Sequence, residues 1–243
     1  ALAALSIPCE PSPHAACLLG FPFRPATFAR LARPAQHAIL NVAAALLNFE
    51  NVVLLAPPEH AHAAHALLAA LPALAHSSAA PEGCGSAGAG TTGTSGFSNT
   101  FYALKNGSGL FSIKVLVVPM DDSWLRDTAP IFALRDDGRI VGLDFAFNGW
   151  GGYLGGILPS WENDAALAAA VCNALGVPRV DRTARVLEGG ALSFDGRGTV
   201  VTTEQCLLNE NRNPGVGKED VERFLKEWMG VKVVVWLPVG AAG

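Results

Sequence analysis

The sequence predicts an α/β fold, and three observations predict it. Short runs of β-branched residues closed by turn formers, such as Ile113-Lys114-Val115-Leu116-Val117-Val118 before Pro119, read as buried strands. Longer stretches carry apolar residues at helical spacing and stop at glycine or proline. The two kinds alternate, with strand, hairpin and helix recurring over residues 15–56, 113–175 and 186–237. Sequence similarity among these units is too faint to define repeats unaided.

Taken in order, turn residues over 7–14 precede a short strand at Ala15–Leu19. Phe28, Leu31, Ile39, Val42, Ala43, Leu46 and Leu47 then follow helical spacing, but Pro34 interrupts, so the main helix is expected to start near Ala35. Val52–Ala56 reads as a strand and Pro58–Leu71 as a helix carrying His60, His62 and His65. His62 and His65 share a face while His60 lies off it, and no Cys or acidic pair completes a shell. A solvated face is expected there rather than a metal site. Residues 77–109 shift to Gly, Ser, Thr and Ala, too poor in apolar surface to offset ordering entropy. An insertion loop, largely disordered and holding Cys84, is expected. Ile131–Leu134 and Ile140–Asp144 flank a hairpin turn at Asp137-Gly138. Asp164–Leu175 is a helix ended by Gly176 and Pro178, with Cys172 as a small core residue. A second hairpin runs from Ala191–Phe194 to Val200–Thr203. Lys218–Met229 is a helix with Gly217 at its N-cap and Asp220 able to serve the first turn, and Val231–Leu237 is the last strand.

A chain of 243 residues, half of them hydrophobic, can bury a substantial core. A net charge of −4 without a basic stripe argues against a nucleic-acid partner. Five cysteines with no C-x-x-C pair suggest a reduced, cytoplasmic protein rather than a disulfide framework or zinc site. No apolar run approaches the roughly 20 residues of a membrane span, so no membrane partner is expected. The opening Ala-Leu-Ala-Ala-Leu-Ser lacks Met and a charged n-region, so it does not read as a signal peptide, and Ala1 is not taken as the natural start.

Chemistry concentrates at residues 120–130, Met-Asp-Asp-Ser-Trp-Leu-Arg-Asp-Thr-Ala-Pro. Asp121, Asp122 and Asp127 lie just past a strand, beside Trp124 and Arg126. Carboxylates take a guanidinium by paired N–H···O bonds while an aromatic face covers its plane, so the group suits a flat organic cation. The competing reading is a capped turn, because Asp and Ser commonly bind nearby backbone N–H groups. Further on, Asp144-Phe145-Ala146-Phe147-Asn148-Gly149-Trp150-Gly151-Gly152 offers an apolar wall and close backbone approach. Glu188, in apolar company before Gly189 and Gly190, is either an acceptor at a bend or a partner for a catalytic His.

The D-D-S-W-L-R-D-T-A-P block resembles M-[ND]-D-S-W-x-R-D-[ST]-G-P of the agmatine deiminase (agmatine iminohydrolase) family, within the bacterial-type peptidyl-arginine deiminase superfamily. Pro8, Glu10, His14 and Pro22 match the family opening, with Pro11 and Phe21 where Trp is usual. The aromatic and glycine loop resembles D-W-x-F-N-A-W-G-G, and Val186–Gly190 contains the superfamily's L-E-G-G. Thr203–Pro214 is similar to T-E-E-C-L-L-N-x-N-R-N-P almost throughout.

The resemblance implies hydrolysis of agmatine to N-carbamoylputrescine and ammonia, with no cofactor. In that chemistry a Cys thiolate attacks the guanidinium carbon, His protonates the departing ammonia, and water resolves the thiouronium with the same His as base. It implies that Asp127 holds the guanidinium, that Trp124 lines the pocket, and that Glu188 orients the His. Asp121, Asp122 and Trp150 are grouped with the substrate-binding residues. Cys206 is not taken as the nucleophile, since the family uses a cysteine far downstream. The His, a second acid and that Cys belong to family segments that these residues do not reach. The 243-residue chain alone is therefore expected to be inactive, with a non-catalytic binding or assembly module as the alternative. A peptidyl-arginine deiminase is the weaker alternative, because Gly149 and Gly151 stand where that branch places two arginines for a substrate carboxylate. The implied fold is a pentein-type α/β propeller of five ββαβ modules, about three of them here, as one incomplete catalytic domain over residues 1–243. Homodimers are common in the family.

Overall fold

The computed structural model describes residues 5–77, 97–105 and 110–240, and its elements are mixed α/β. Within the single domain expected over residues 1–243, two compact units are separable: residues 13–125 with 174–176, and residues 1–12, 126–173 and 177–243. The first element, β1 (Leu5–Ser6), belongs to the second of these.

The first unit contains β2 (Ala16–Gly20), α1 (Pro25–Phe28), α2 (Ala32–Leu46), β3 (Asn51–Ala56), α3 (Pro58–Ala70), β4 (Leu74–Ser77), β5 (Phe97–Leu104) and β6 (Ile113–Val117). Its sheet runs β2-β3-β6-β5-β4, with β2, β3 and β6 parallel and β5 and β4 antiparallel additions. A central parallel strand is covered on both faces, which is why Val52–Ala56 is uninterruptedly apolar and buried. Phe21, Leu40, Leu54, Leu68, Ile113 and Val115 form the core around it.

Two expectations change in this unit. The helix α2 begins at Ala32, not near Ala35, because Pro34 lies in its first turn, where the missing N–H has no intrahelical partner to lose. The segment expected as a disordered insertion over 77–109 contains the strand β5, and Tyr102 on it is buried. The Tyr102 hydroxyl lies 2.7 Å from His65 Nδ1, so one of the three α3 histidines anchors the added strand. Averaged composition hid the apolar run within a Gly- and Ser-rich neighbourhood. The rest of that expectation, with Cys84, lies outside the described residues.

The second unit continues through α4 (Leu125–Thr128), β7 (Ile131–Arg135), β8 (Ile140–Ala146), α5 (Glu162–Leu175), β9 (Arg179–Val186), β10 (Ser193–Phe194), β11 (Thr199–Thr203), α6 (Glu204–Leu207), α7 (Lys218–Met229) and β12 (Val233–Leu237). One sheet runs β1-β7-β8-β9 and the other β10-β11-β12. Both expected hairpins form, with Gly138 (φ 77°) in the first turn and Gly196 (φ 74°) in the second. β9 was not expected. Its charged sequence, Arg-Val-Asp-Arg-Thr-Ala-Arg-Val, carries little apolar signal because the strand lies at a sheet edge. The helix α7 starts where expected, and Asp220 accepts the Gly217 N–H at 3.4 Å. Leu143, Leu192, Val200, Leu225 and Met229 centre this unit's core.

Candidate functional site

In the first unit, Pro119 ends the apolar run of β6 and the chain turns through Asp121-Asp122-Ser123. Asp122 is fully buried. Its carboxylate accepts the Thr27 hydroxyl and, at 2.8 Å, the Ser123 N–H. Asp122 thus takes a turn-capping role. Gly20 at the end of β2 allows this fold of the chain, because a Cβ there would lie 2.7 Å from the Ser123 carbonyl oxygen. Asp121 is half-buried, with its carbonyl 3.5 Å from Arg24 Nη1, and Trp124 is 47% exposed.

The second unit holds the better-built group. Asp127 Oδ2 accepts the Trp150 indole N–H at 3.1 Å, and its Oδ1 accepts the Gly190 N–H at 3.0 Å. Trp150 was expected as part of an apolar wall. Here its N–H orients Asp127, and its own backbone sits at φ 61°, an uncommon conformation for a bulky residue. The surrounding loop holds it there: Asn148 Oδ1 accepts the Gly151 N–H at 3.0 Å, and Phe147 packs edge-on against the indole at 5.0 Å.

Glu188 follows β9, is 4% exposed, and accepts Arg212 Nε at 2.5 Å. The glycines after it have separate tasks. A Cβ on Gly189 would lie 2.4 Å from the Arg126 carbonyl oxygen, and one on Gly190 2.3 Å from Asp127 Oδ1. Only bare backbone can bring the Glu188 bend this close to the Asp127 turn.

The Asn-Arg-Asn stretch was matched in sequence but given no role, and it turns out to brace the site. Asn213 makes two bonds to Val186, accepting its N–H at 3.0 Å and donating to its carbonyl at 2.9 Å. Arg212 Nη1 donates to Asn211 Oδ1 at 2.7 Å, and the Asn211 carbonyl accepts Asn148 Nδ2 at 2.9 Å. A lone Arg between two Asn is the signal that could have flagged this brace.

Burial raises the Asp127 pKa, opposed by the Trp150 and Gly190 hydrogen bonds and by Arg126 and Arg212. Burial also raises that of Glu188, opposed by Arg212 and reinforced by the Asp127 charge. The two carboxylates therefore sense each other. Arg126 is engaged by Glu10 at 2.5 Å, an exposed pair that ties the family-like opening to this turn. Cys206 packs beside Leu207 and donates its backbone N–H to Thr203 Oγ1 at 3.2 Å, capping α6. Cys172 is buried, and its thiol is pushed up to about 11 by burial and by Asp144. No group of three or more His, Cys, Asp or Glu able to hold a metal ion occurs among the described residues.

Residues 6–243 match the family described as Porphyromonas-type peptidyl-arginine deiminase. An agmatine deiminase of Pseudomonas aeruginosa is 33% identical over 240 residues, which are 96% of this chain and 53% of that one. One from Pseudomonas putida is 46% identical over 129 residues, 53% of this chain and 35% of that one. The structure of an agmatine deiminase of Enterococcus faecalis matches at a TM-score of 0.77 and 29% identity, covering 98% of this chain and 54% of the other. The chain spans about half the length of the curated relatives it matches. Matched across nearly all its residues, the chain belongs to the Porphyromonas-type peptidyl-arginine deiminase family.

Proposed function

We propose that these residues are the guanidinium-gripping part of an agmatine deiminase, which hydrolyses agmatine to N-carbamoylputrescine and ammonia. The observation that carries this reading is the charge arrangement at Asp127. Asp127 and Glu188 together bring two negative charges, Arg212 brings one positive charge, and Arg126 is occupied by Glu10. One negative charge is left over, matching one guanidinium. Asp127 grips the cation in this reading, and the family resemblance assigns Trp124 and Asp121 to substrate binding as well. Glu188 orients the His that shuttles protons between thiouronium and leaving ammonia. That His and the nucleophilic Cys come from the family length beyond these residues, and the five modules of the pentein propeller would close around them.

The loop glycines favour agmatine over a peptide with C-terminal arginine. A side chain at Gly149 would meet Trp161 at 2.8 Å, and one at Gly151 would meet Asn211 Nδ2 at 2.5 Å; both glycines have positive φ. The paired arginines of the peptide-directed branch have no room here, and agmatine has no carboxylate for them to hold.

Protein expressed from the whole reading frame that encodes these residues should release ammonia from agmatine at least tenfold more efficiently than from a peptide ending in arginine. The reverse preference would reject agmatine as substrate. Residues 1–243 alone should show no turnover, and ammonia release from them would place the nucleophile within this stretch.

A further inference from the structure

Asp127 and Glu188 sit on separate segments, yet they are linked along two routes. The short route is the Gly190 N–H, two residues past Glu188, donated to Asp127 Oδ1. The long route runs from Asp127 to the Trp150 indole, through the Gly151 N–H to Asn148, from Asn148 to the Asn211 carbonyl, and from Asn211 Oδ1 to Arg212. Arg212 closes the circuit on Glu188 Oε1.

We propose that Arg212 is the positioning residue of this site, clamping the Glu188 carboxylate and bracing, through Asn211 and Asn148, the indole that holds Asp127. This rests on the reading of Asp127 and Glu188 as members of the guanidine site. Its side chain is 12% exposed, so it is committed to internal partners. A planar guanidinium donates in two directions at fixed angles, to Glu188 through Nε and to Asn211 through Nη1, which a lysine ammonium cannot reproduce. Its charge also has a task that no other described side chain takes on. The charged groups facing Glu188 are Arg212 and Asp127, and those facing Asp127 are Arg126, Arg212 and Glu188. With Arg126 paired to Glu10, Arg212 is the cation that acts on both carboxylates and lets both ionise side by side.

The test uses protein from the whole reading frame, labelled with carboxyl-13C glutamate, with the Glu188 resonance identified by its loss in E188Q. Against wild type, R212Q should raise the Glu188 titration midpoint by about one pH unit or more, and R212K should return it toward wild type. An unmoved midpoint in R212Q overturns the proposal. R212K keeps the charge but loses the fork, so its kcat on agmatine should fall about tenfold with KM changed less; wild-type kcat in R212K also overturns it. If R212Q does not fold, R212K decides the question alone. A Glu188 midpoint that moves in R212Q while the acid limb of kcat/KM stays in place supports the clamp and removes Glu188 from catalysis. Failure of the clamp and failure of the underlying functional reading are thus distinguishable.

Discussion

At Gly190 an added methyl group would meet the Asp127 carboxylate itself, and at Gly189 it would meet the Arg126 backbone carbonyl. The two substitutions should therefore fail differently. G190A can be absorbed by rotating a side chain, so it should lower kcat/KM for agmatine tenfold or more while the melting temperature changes little. G189A presses on backbone that cannot yield, and should cost about 1–3 kcal/mol of stability by urea titration. Equal stability losses in both would contradict this division. The pH dependence follows from the same two acids. Both carboxyl groups have folded pKa values raised above their ordinary ones, chiefly by burial. Ionised, they cost the fold stability, and that cost is relieved as pH falls through the folded values. On the proposed reading the guanidinium grip needs Asp127 ionised, so apparent affinity for agmatine should fall on acidification with a midpoint above the ordinary Asp value. D127N should lose the Asp127 part of that dependence. Asp127 and Glu188 could be singled out as candidates in the sequence because each stands in a dense motif. The Arg212 bonds to Glu188 and Asn211 could not be read there, because the bridge to Glu188 forms only once residues apart in sequence are folded together. Asp122 shows the opposite case: a carboxylate in the motif, turned inward by Thr27 and a backbone N–H that composition cannot reveal.

Among the elements, the packing of α5 on β8 depends on a single small residue. Gly142 lies so near Cys172 that a Cβ would fall 2.3 Å from the sulfur. G142A should cost about 1–3 kcal/mol, and adding C172A should recover part of that loss, because the sulfur is the nearest obstacle. Additive losses in the double variant would place the strain elsewhere, with Pro130 Cβ, at 3.1 Å, as the next neighbour. Most elements were legible from period and punctuation: β3 as a continuous apolar run, α7 from its glycine and aspartate start, and both hairpins from their glycine turns. The exceptions have physical causes. The edge strand β9 is written in charges because one side faces water, and β5 is a short apolar run diluted by its neighbours.

For the molecule as a whole, β12 is the edge of its sheet among the described residues, and it exposes Val233, Val235 and Leu237 while Val234 and Trp236 pack on the core. Val201, paired with Val235 on β11, extends the stripe. Such an edge favours association, so residues 1–243 alone should self-associate in a concentration-dependent way by light scattering. A monodisperse chain with a single cooperative melt would contradict that. The α/β class and the family motifs were readable along the chain, whereas the division into two compact units was not, since it depends on contacts rather than on any linker composition. The central claim concerns one carboxylate, and its most direct test is agmatine turnover by whole-reading-frame protein, wild type beside D127N. Wild type should yield ammonia and N-carbamoylputrescine in equal amounts, with kcat/KM about ten- to a hundredfold lower in D127N for one lost charge-assisted bond. Wild-type efficiency in a folded D127N would show that the guanidinium is held elsewhere.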